Sequence, residues 1–217
     1  MEDQQMYEKR HPILSIENEL GGVDYTVNIL NEILGPDTFT EVIQALNTAS
    51  EVDRVIFKIN SPGGRLDTTV MLIDAIKRTE AQTLADCAGV IASAATAIAL
   101  SCDGLYIAPY SEFMSHHFSG GIVGKGHEIE DYVEFALPKQ KQFVKSVYRD
   151  FLSKKEIQRL IRGKDIYLDP EQVYERWENV LEARRKEYGK QVKRQEKEQI
   201  EAMTTALVER GYVVTKE

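Results

Sequence analysis

The sequence predicts an α/β fold built on a largely parallel sheet. Three strand-like segments, rich in β-branched and apolar residues, begin near residues 23, 52 and 81. Each is followed by a segment in which apolar residues recur at helical spacing. Strands that alternate with helices in this way are typical of right-handed βαβ units, whose helices cover the faces of one sheet.

The individual elements can be assigned in chain order. The first unit joins the strand "VDYTVNIL" to a helix within "GPDTFTEVIQALNTA". The second joins "VDRVIFKIN" to the helix that follows the turn "SPGG", and the third joins "AQTLADCAG" to a helix in "ASAATAIALSC". A fourth strand region, "GLYIAPYSEFMSHH", is interrupted near Pro109, since proline cannot donate a hydrogen bond to a neighbouring strand.

The remaining chain is predicted to be helical. Apolar spacing indicates a long helix at roughly residues 128–152 and a shorter one at 153–162. From residue 175 both charge signs are dense and apolar residues sparse, which is typical of an exposed or partner-bound helix. We therefore divide the chain into an N-terminal segment (1–22), a folded domain (23–174) and a charged helical extension (175–217).

Composition excludes several classes of protein. The chain has 217 residues, 42% of them hydrophobic, and a net charge of -8, which argues against a nucleic-acid partner because phosphates need a basic face. No apolar run is long enough to cross a bilayer, and no secretory signal pattern is visible at the N-terminus. The two cysteines lack metal-ligand spacing. We expect a cytoplasmic protein with no membrane partner, metal or cofactor.

Two loops at the predicted carboxyl ends of strands could carry chemistry, because ligands bind at this edge of open α/β sheets. "INSPGG" supplies Gly63 and Gly64, whose amides can approach a ligand closely. "CAGVIAS" presents Ser93 among small residues at a helix start, with the Ala94 amide directed to the same region. A hydroxyl beside two converging amides is typical of a nucleophile and its oxyanion hole. The alternative is that the small residues only permit close helix packing.

A nucleophilic serine needs a base, and the candidates are His116 and His117 at the end of the fourth strand region. Neighbouring side chains on a strand face opposite sides, so one of the pair would face the site. The residues themselves do not decide which histidine does so. A structural or surface role for both is the alternative.

In their order along the chain, these segments resemble the proteolytic subunit of the Clp protease, a serine peptidase with a crotonase-like fold of repeated β-β-α and βαβ units. "VIFKINSPGGRLDTTVMLIDAI" resembles the family's glycine turn with its flanking strand and helix. "LADCAGVIASAATAIALSC" resembles the segment that presents the nucleophile, and "YIAPYSEFMSHH" the segment that ends in the catalytic histidine. The resemblance covers roughly residues 23–173 and implies Ser93 as nucleophile, His116 as base, and the amides of Gly64 and Ala94 as the oxyanion hole.

The resemblance also implies an assembly. "SGGIVGKGHEIEDYVEFALPKQKQFV" resembles the family's glycine-rich loop and protruding handle helix, at about residues 120–152, through which two rings of subunits meet. A homo-oligomer of rings or stacked rings would enclose a chamber that admits peptides or unfolded protein. An unfoldase ATPase would be the partner that delivers folded substrates, although the N-terminal segment does not match the family's docking loop.

One position departs from the family. An ungapped match places Leu160 where the family has its catalytic aspartate. Asp165 is the candidate replacement, since "KDIYLDPEQ" resembles the acidic segment of phage-borne Clp-like peptidases. Asp169, which precedes Pro170 at a predicted helix start, is interpreted as a helix cap.

Three functions follow as hypotheses. The first is a serine endopeptidase that hydrolyses peptide bonds through an acyl-enzyme inside an oligomeric chamber, with Ser93, His116 and Asp165 as its catalytic residues. The second is a catalytically degenerate subunit kept for ring structure or assembly, which Leu160 favours. The third is a crotonase-type enzyme acting on an acyl-CoA thioester.

Overall fold

The computed structural model describes residues 13–210, except residues 20, 118 and 120–122. The N-terminal residues 1–12 and the first residues of the predicted handle region therefore lie outside the described part. The chain divides into two compact units, with the boundary between Arg176 and Trp177. The boundaries expected from the sequence, at residues 22 and 174, stay a prediction.

One sheet organises the first unit. Its strands follow one another in the spatial order β1-β2-β3-β4-β6-β7, and β5 also pairs with β4. The pairs among β2, β3, β4, β5 and β6 are parallel, while β1 and β7 run antiparallel to their neighbours. The strands are β1 (Ile13–Glu17), β2 (Val23–Ile29), β3 (Arg54–Ser61), β4 (Gln82–Ala92), β5 (Gly104–Ile107), β6 (Glu112–Ser115) and β7 (Ile166–Leu168).

The helices confirm the predicted alternation. The first three helices each follow one of the strands β2, β3 and β4, as expected of a mixed α/β fold with a largely parallel sheet. The long helix predicted at 128–152 is α4, which begins and ends a few residues earlier, and the short one is α5. The helices are α1 (Thr40–Thr48), α2 (Leu66–Arg78), α3 (Ala94–Ala99), α4 (Gly126–Tyr148), α5 (Lys154–Ile161) and α6 (Pro170–Glu209).

Strand β4 is long enough for two later strands to pair with it, one after the other. Its first part, Leu84–Cys87, pairs with β5, and its last part, Val90–Ala92, pairs with β6. The predicted fourth strand region is therefore two short strands that contact successive parts of β4. As a result the carboxyl end of β6 lies beside the carboxyl end of β4, where α3 begins.

The core lies between the sheet and the helices that cover it. Val55, Phe57 and Ile59 alternate with less buried positions along β3, and all three are at most 1% exposed. Burying a side chain of this size stabilises the fold by roughly 1.5–3 kcal/mol relative to leaving it in water. Core positions on the helices include Val42 and Leu46 of α1, Leu72 of α2, and Ile98 of α3.

A charged pair fastens α5 to the start of α6. Both terminal guanidinium nitrogens of Arg176 donate to the Glu156 carboxylate, at 3.0 and 2.9 Å. Glu156 also accepts from the backbone and hydroxyl of Ser153, which completes a capping box at the α5 N-terminus. The Arg176 guanidinium and, to a smaller extent, Ser153 lower the pKa of Glu156 to about 2, although partial burial opposes the change.

Replacing Glu156 with Gln is expected to remove a pH-dependent part of the stability. Because the pKa of Glu156 is lowered on folding from 4.5 to about 2, its contribution is present above pH 4.5 and is lost as the pH falls toward 2. Urea denaturation at pH 7 should show a loss of roughly 2 kcal/mol, and the difference between Glu156→Gln and wild type should shrink below pH 4. Glu182→Gln, in an exposed pair with Lys186, is the control and should change stability little. A Glu156→Gln variant as stable as wild type at pH 7 would contradict this account.

Candidate active site

Ser93 lies at a sharp turn between β4 and α3. Its backbone has φ 57° and ψ -123°, a conformation that residues other than glycine adopt at a cost of about 1–3 kcal/mol. The Ser93 amide donates to the Met114 carbonyl of β6 at 2.8 Å, and the Ser93 carbonyl accepts from the Thr96 amide at 3.1 Å. Both peptide groups of the turn are thus held, and the strand-to-helix turn presents the hydroxyl at the edge of the sheet.

The turn after β3 packs directly on Ser93. Gly63 has φ 99°, and a Cβ atom there would lie 2.7 Å from the Cβ of Ser93 and 2.8 Å from the Ala92 carbonyl oxygen. Real Cβ atoms do not approach other atoms so closely, and a positive φ disfavours any side chain other than hydrogen. Only glycine therefore allows the two turns to meet at this distance.

Pairing with the segment after β2 orients the neighbouring Gly64. The Ile33 amide donates to the Gly63 carbonyl at 2.7 Å, and the Arg65 amide donates to the Ile33 carbonyl at 2.9 Å. In a parallel bridge of this kind, the amide of the central residue points away from the partner segment. The Gly64 amide is thus directed away from Ile33.

The amides of Gly64 and Ala94 flank the same space. Ala94 is the first residue of α3, so the helix itself does not use its amide. Gly64, Ala94 and Ser93 all line one cavity of about 450 Å³. The two amides can donate hydrogen bonds to a negative charge that develops beside the Ser93 hydroxyl, which is what an oxyanion hole does.

His116 reaches Ser93 from the end of β6. Its Nε2 lies 2.5 Å from the Ser93 Oγ, within hydrogen-bond distance. The structure thus brings Ser93 and His116 into contact, whereas the residues themselves left the choice between His116 and His117 open. The pairing of β4 with β6 produces this contact, since Ser93 directly follows β4 and His116 directly follows β6.

Asp165, the predicted third catalytic residue, lies near His116 in the strand register but does not contact it through a hydrogen bond in the described residues. Asp165 directly precedes β7, and the antiparallel register pairs Ser115 with Ile166. Continuing the register by one residue places Asp165 opposite His116. The Asp165 side chain is exposed, and within the described part of the chain it makes no hydrogen bond to His116. Leu160 is 0% exposed and belongs to the core.

The interpretation of Asp169 as a cap is confirmed. Its carboxylate accepts from the Gln172 amide at 2.9 Å, and the Gln172 side chain accepts from the Asp169 amide at 3.2 Å. This reciprocal pair occupies the start of α6.

The cavity beside Ser93 is lined by both charged and apolar groups. Glu32 and Arg65 contribute to its wall, while Ala97, Val144 and Tyr148 form an apolar part. Arg65 is paired with Asp67 at 2.6 Å, and this pairing lowers the pKa of Asp67 to about 2. The space is large enough for an amino-acid side chain next to the hydroxyl.

Two hydroxyls near the site, those of Thr96 and Tyr148, were not found by sequence reasoning. Thr96 lies three residues after Ser93, a spacing at which a side chain can bond to the backbone one turn earlier, so a local signal exists. Tyr148 lies at the end of α4, 52 residues from Thr96, and only the tertiary fold brings it to the site.

No group of three or more metal-ligating side chains is found among the described residues. None of the helices in the described part is both long and apolar enough to cross a membrane.

Replacing Gly63 with Ala is expected to destabilise the first unit by about 2–4 kcal/mol, since the new Cβ would strain the turn against Ser93. Urea denaturation measures this loss. Gly126→Ala is the matched control, because a Cβ at Gly126 meets no atom within 4 Å. Equal stability of the two variants would contradict the close contact between the turns.

The sequence of this chain matches a known protein family and a curated relative. The pattern of the Clp protease family matches residues 27–176. Over 96 residues the chain is 32% identical to the ATP-dependent Clp protease proteolytic subunit 2 of Pseudomonas aeruginosa, which covers 42% of this chain and 48% of that relative. The match thus spans about half of the relative's length. Because the family pattern covers more than half of the chain, including both turns and both histidines of the β6 end, the chain belongs to the Clp protease family.

Proposed function

We propose that this chain is a serine endopeptidase in which Ser93 is the nucleophile and His116 the general base. The observation that carries the proposal is the 2.5 Å contact between the Ser93 Oγ and the His116 Nε2. A serine hydroxyl is a weak nucleophile unless a base removes its proton, and the contact supports His116 as that base. The strained Ser93 backbone supports the same role, since such strain clusters at functional sites.

The reaction follows from these positions. The Ser93 Oγ attacks the carbonyl carbon of the peptide bond while its proton passes to the His116 Nε2. The amides of Gly64 and Ala94 donate to the resulting oxyanion. His116 then gives the proton to the leaving amine, and an acyl group remains on Ser93. A water molecule gives a proton to His116 and attacks the ester carbonyl, and His116 returns this proton to the Ser93 Oγ as the C–O bond breaks and the acid product leaves.

Asp165 is proposed to orient the His116 ring and to stabilise its charged form. The strand register supports this role, because Asp165 precedes β7 and His116 follows β6, each one residue beyond the pair Ser115–Ile166. Leu160 cannot replace it, as a buried leucine carries no charge to stabilise an imidazolium.

Assembly and substrate are proposed from the family. The residues 23–174 would form the peptidase domain of a homo-oligomeric ring or stacked pair of rings, with α4 as the handle and an unfoldase ATPase delivering folded substrates in the cytoplasm. Exposed apolar side chains on α4 support an interface there, as Tyr132 and Phe135 are 52% and 61% exposed. Peptides and unfolded protein would be the substrates.

A degenerate ring subunit is the second candidate function. It is favoured by Leu160 at the position of the family's catalytic aspartate and by the lack of a hydrogen bond between Asp165 and His116 in the described residues. Loss of the orienting carboxylate can lower the rate by about 10⁴-fold in serine proteases. Activity measurements separate the two functions.

The proposal predicts cleavage of unstructured peptides. The purified chain is incubated with a library of decapeptides of mixed sequence, and products are identified by mass spectrometry. Wild type should generate new termini, whereas Ser93→Ala and His116→Ala should lower cleavage by at least about 10³-fold. Each oligomeric species is separated by size exclusion and assayed on its own, and activity is expected in the large species.

The third residue is tested in the same assay. Asp165→Asn should lower cleavage by at least about 10²-fold, as expected when the imidazole loses its orienting carboxylate. Asp150→Asn is the matched control, because Asp150 is an aspartate near the end of α4 that pairs with Arg149. Cleavage unchanged in Asp165→Asn would remove Asp165 from the site. Absence of cleavage by assembled, folded wild type would favour the degenerate ring.

A further inference from the structure

A chain of hydroxyls connects the end of α4 to the backbone of the nucleophile. The Thr96 Oγ1 donates to the Ser93 carbonyl at 2.6 Å. The same Oγ1 lies 2.6 Å from the Tyr148 hydroxyl, and both side chains are buried. Three residues, from the turn after β4, from α3 and from α4, thus share two short hydrogen bonds behind the Ser93 hydroxyl.

The direction of the two bonds is fixed by the number of protons. A threonine hydroxyl has one proton, and here it is given to the Ser93 carbonyl, which can only accept. The Thr96 Oγ1 must therefore accept from the Tyr148 hydroxyl. The chain runs from Tyr148 to Thr96 to Ser93.

The position of these bonds makes them relevant to the strained turn. The Ser93 amide is held by Met114, but the Ser93 carbonyl depends on Thr96, through the Thr96 amide at 3.1 Å and the hydroxyl at 2.6 Å. The shorter bond comes from the hydroxyl. A carbonyl free to rotate would let ψ of Ser93 relax, and the hydroxyl would leave the His116 ring.

Burial adds to the strength of this arrangement. Burial raises the pKa of Tyr148. The phenol therefore keeps its proton throughout the neutral range and remains a donor. Ser115, which precedes His116, has a buried Oγ with no hydrogen bond of good geometry in the described residues. The phenol thus lies close both to Thr96 and to Ser115, the last residue of β6.

We propose that Thr96 and Tyr148 are positioning residues that hold the Ser93 backbone in its reactive conformation, so that the C-terminal end of α4 controls the alignment of the nucleophile with His116. This inference rests on the proposed peptidase function. It makes the order of the last turn of α4 a condition for catalysis, although neither side chain touches the reacting atoms.

The test uses variants that remove one hydroxyl at a time. Tyr148→Phe and Thr96→Val should each lower kcat about tenfold on a peptide cleaved by wild type, with KM within about twofold of wild type. Thr96→Ser keeps the hydroxyl and should restore kcat to within about twofold of wild type. The double variant Thr96→Val with Tyr148→Phe should be no slower than the slower single variant, since both changes break one chain.

A buried threonine far from the site is the control. Thr83 is 1% exposed at the start of β4, and its Oγ1 donates to Asp103 at 2.8 Å. Thr83→Val should lose as much stability to urea as Thr96→Val and leave kcat unchanged. Wild-type kcat in Thr96→Val or Tyr148→Phe, or equal loss in Thr83→Val, would overturn the positioning role while the peptidase function stands. Absence of cleavage by wild type would instead overturn the peptidase function, and the catalytic role of the hydroxyl chain with it.

Discussion

The backbone of Ser93 is the constraint on which the site depends. A serine at φ 57° is stable only where its surroundings determine the conformation, and here three elements do so. The Ser93 amide donates to the Met114 carbonyl of β6, and the Ser93 carbonyl accepts from Thr96 of α3. The turn at Gly63 packs against the side chain itself. The cost of the strained turn is offset by contacts that also assemble the rest of the site.

The sheet brings these elements together through the length of one strand. Strand β4 is long enough to pair first with β5 and then with β6. The end of β6 therefore lies beside Ser93, which follows the end of β4. His116 thereby meets a serine that lies 23 residues earlier in the chain. A similar pairing after β2 orients the Gly64 amide. The positions of Ser93, His116 and Gly64 thus depend on sheet pairings as much as on their own loops.

The sequence predicted the parts of the fold that have strong local patterns. Alternating strands and helices from β2 to α3 and the helices α4 and α5 were predicted near their observed positions. Strands β1 and β7 were not, because one is an edge strand of mostly exposed residues and the other has three residues, too few for a periodic pattern. Tyr148 could not be linked to Thr96, since their contact spans 52 positions and arises from packing alone.

At the site, the sequence indicated the two close turns but not the orientation of the side chains. Small residues around Ser93 and the glycines of "SPGG" indicated two close turns, because their lack of bulk is itself the signal. The orientation of Asp165 depends on the antiparallel register of β6 and β7, which no local pattern encodes. The same register is the physical basis for proposing that Asp165 serves His116.

The most direct test of the central claim is chemical labelling of the serine. Assembled wild-type protein is incubated with a fluorophosphonate, its intact mass is measured, and the modified peptide is sequenced. An activated Ser93 predicts a single adduct per chain on that residue, absent in Ser93→Ala and much slower to form in His116→Ala. No adduct on the folded, assembled protein, or an adduct that persists in Ser93→Ala, would contradict the account.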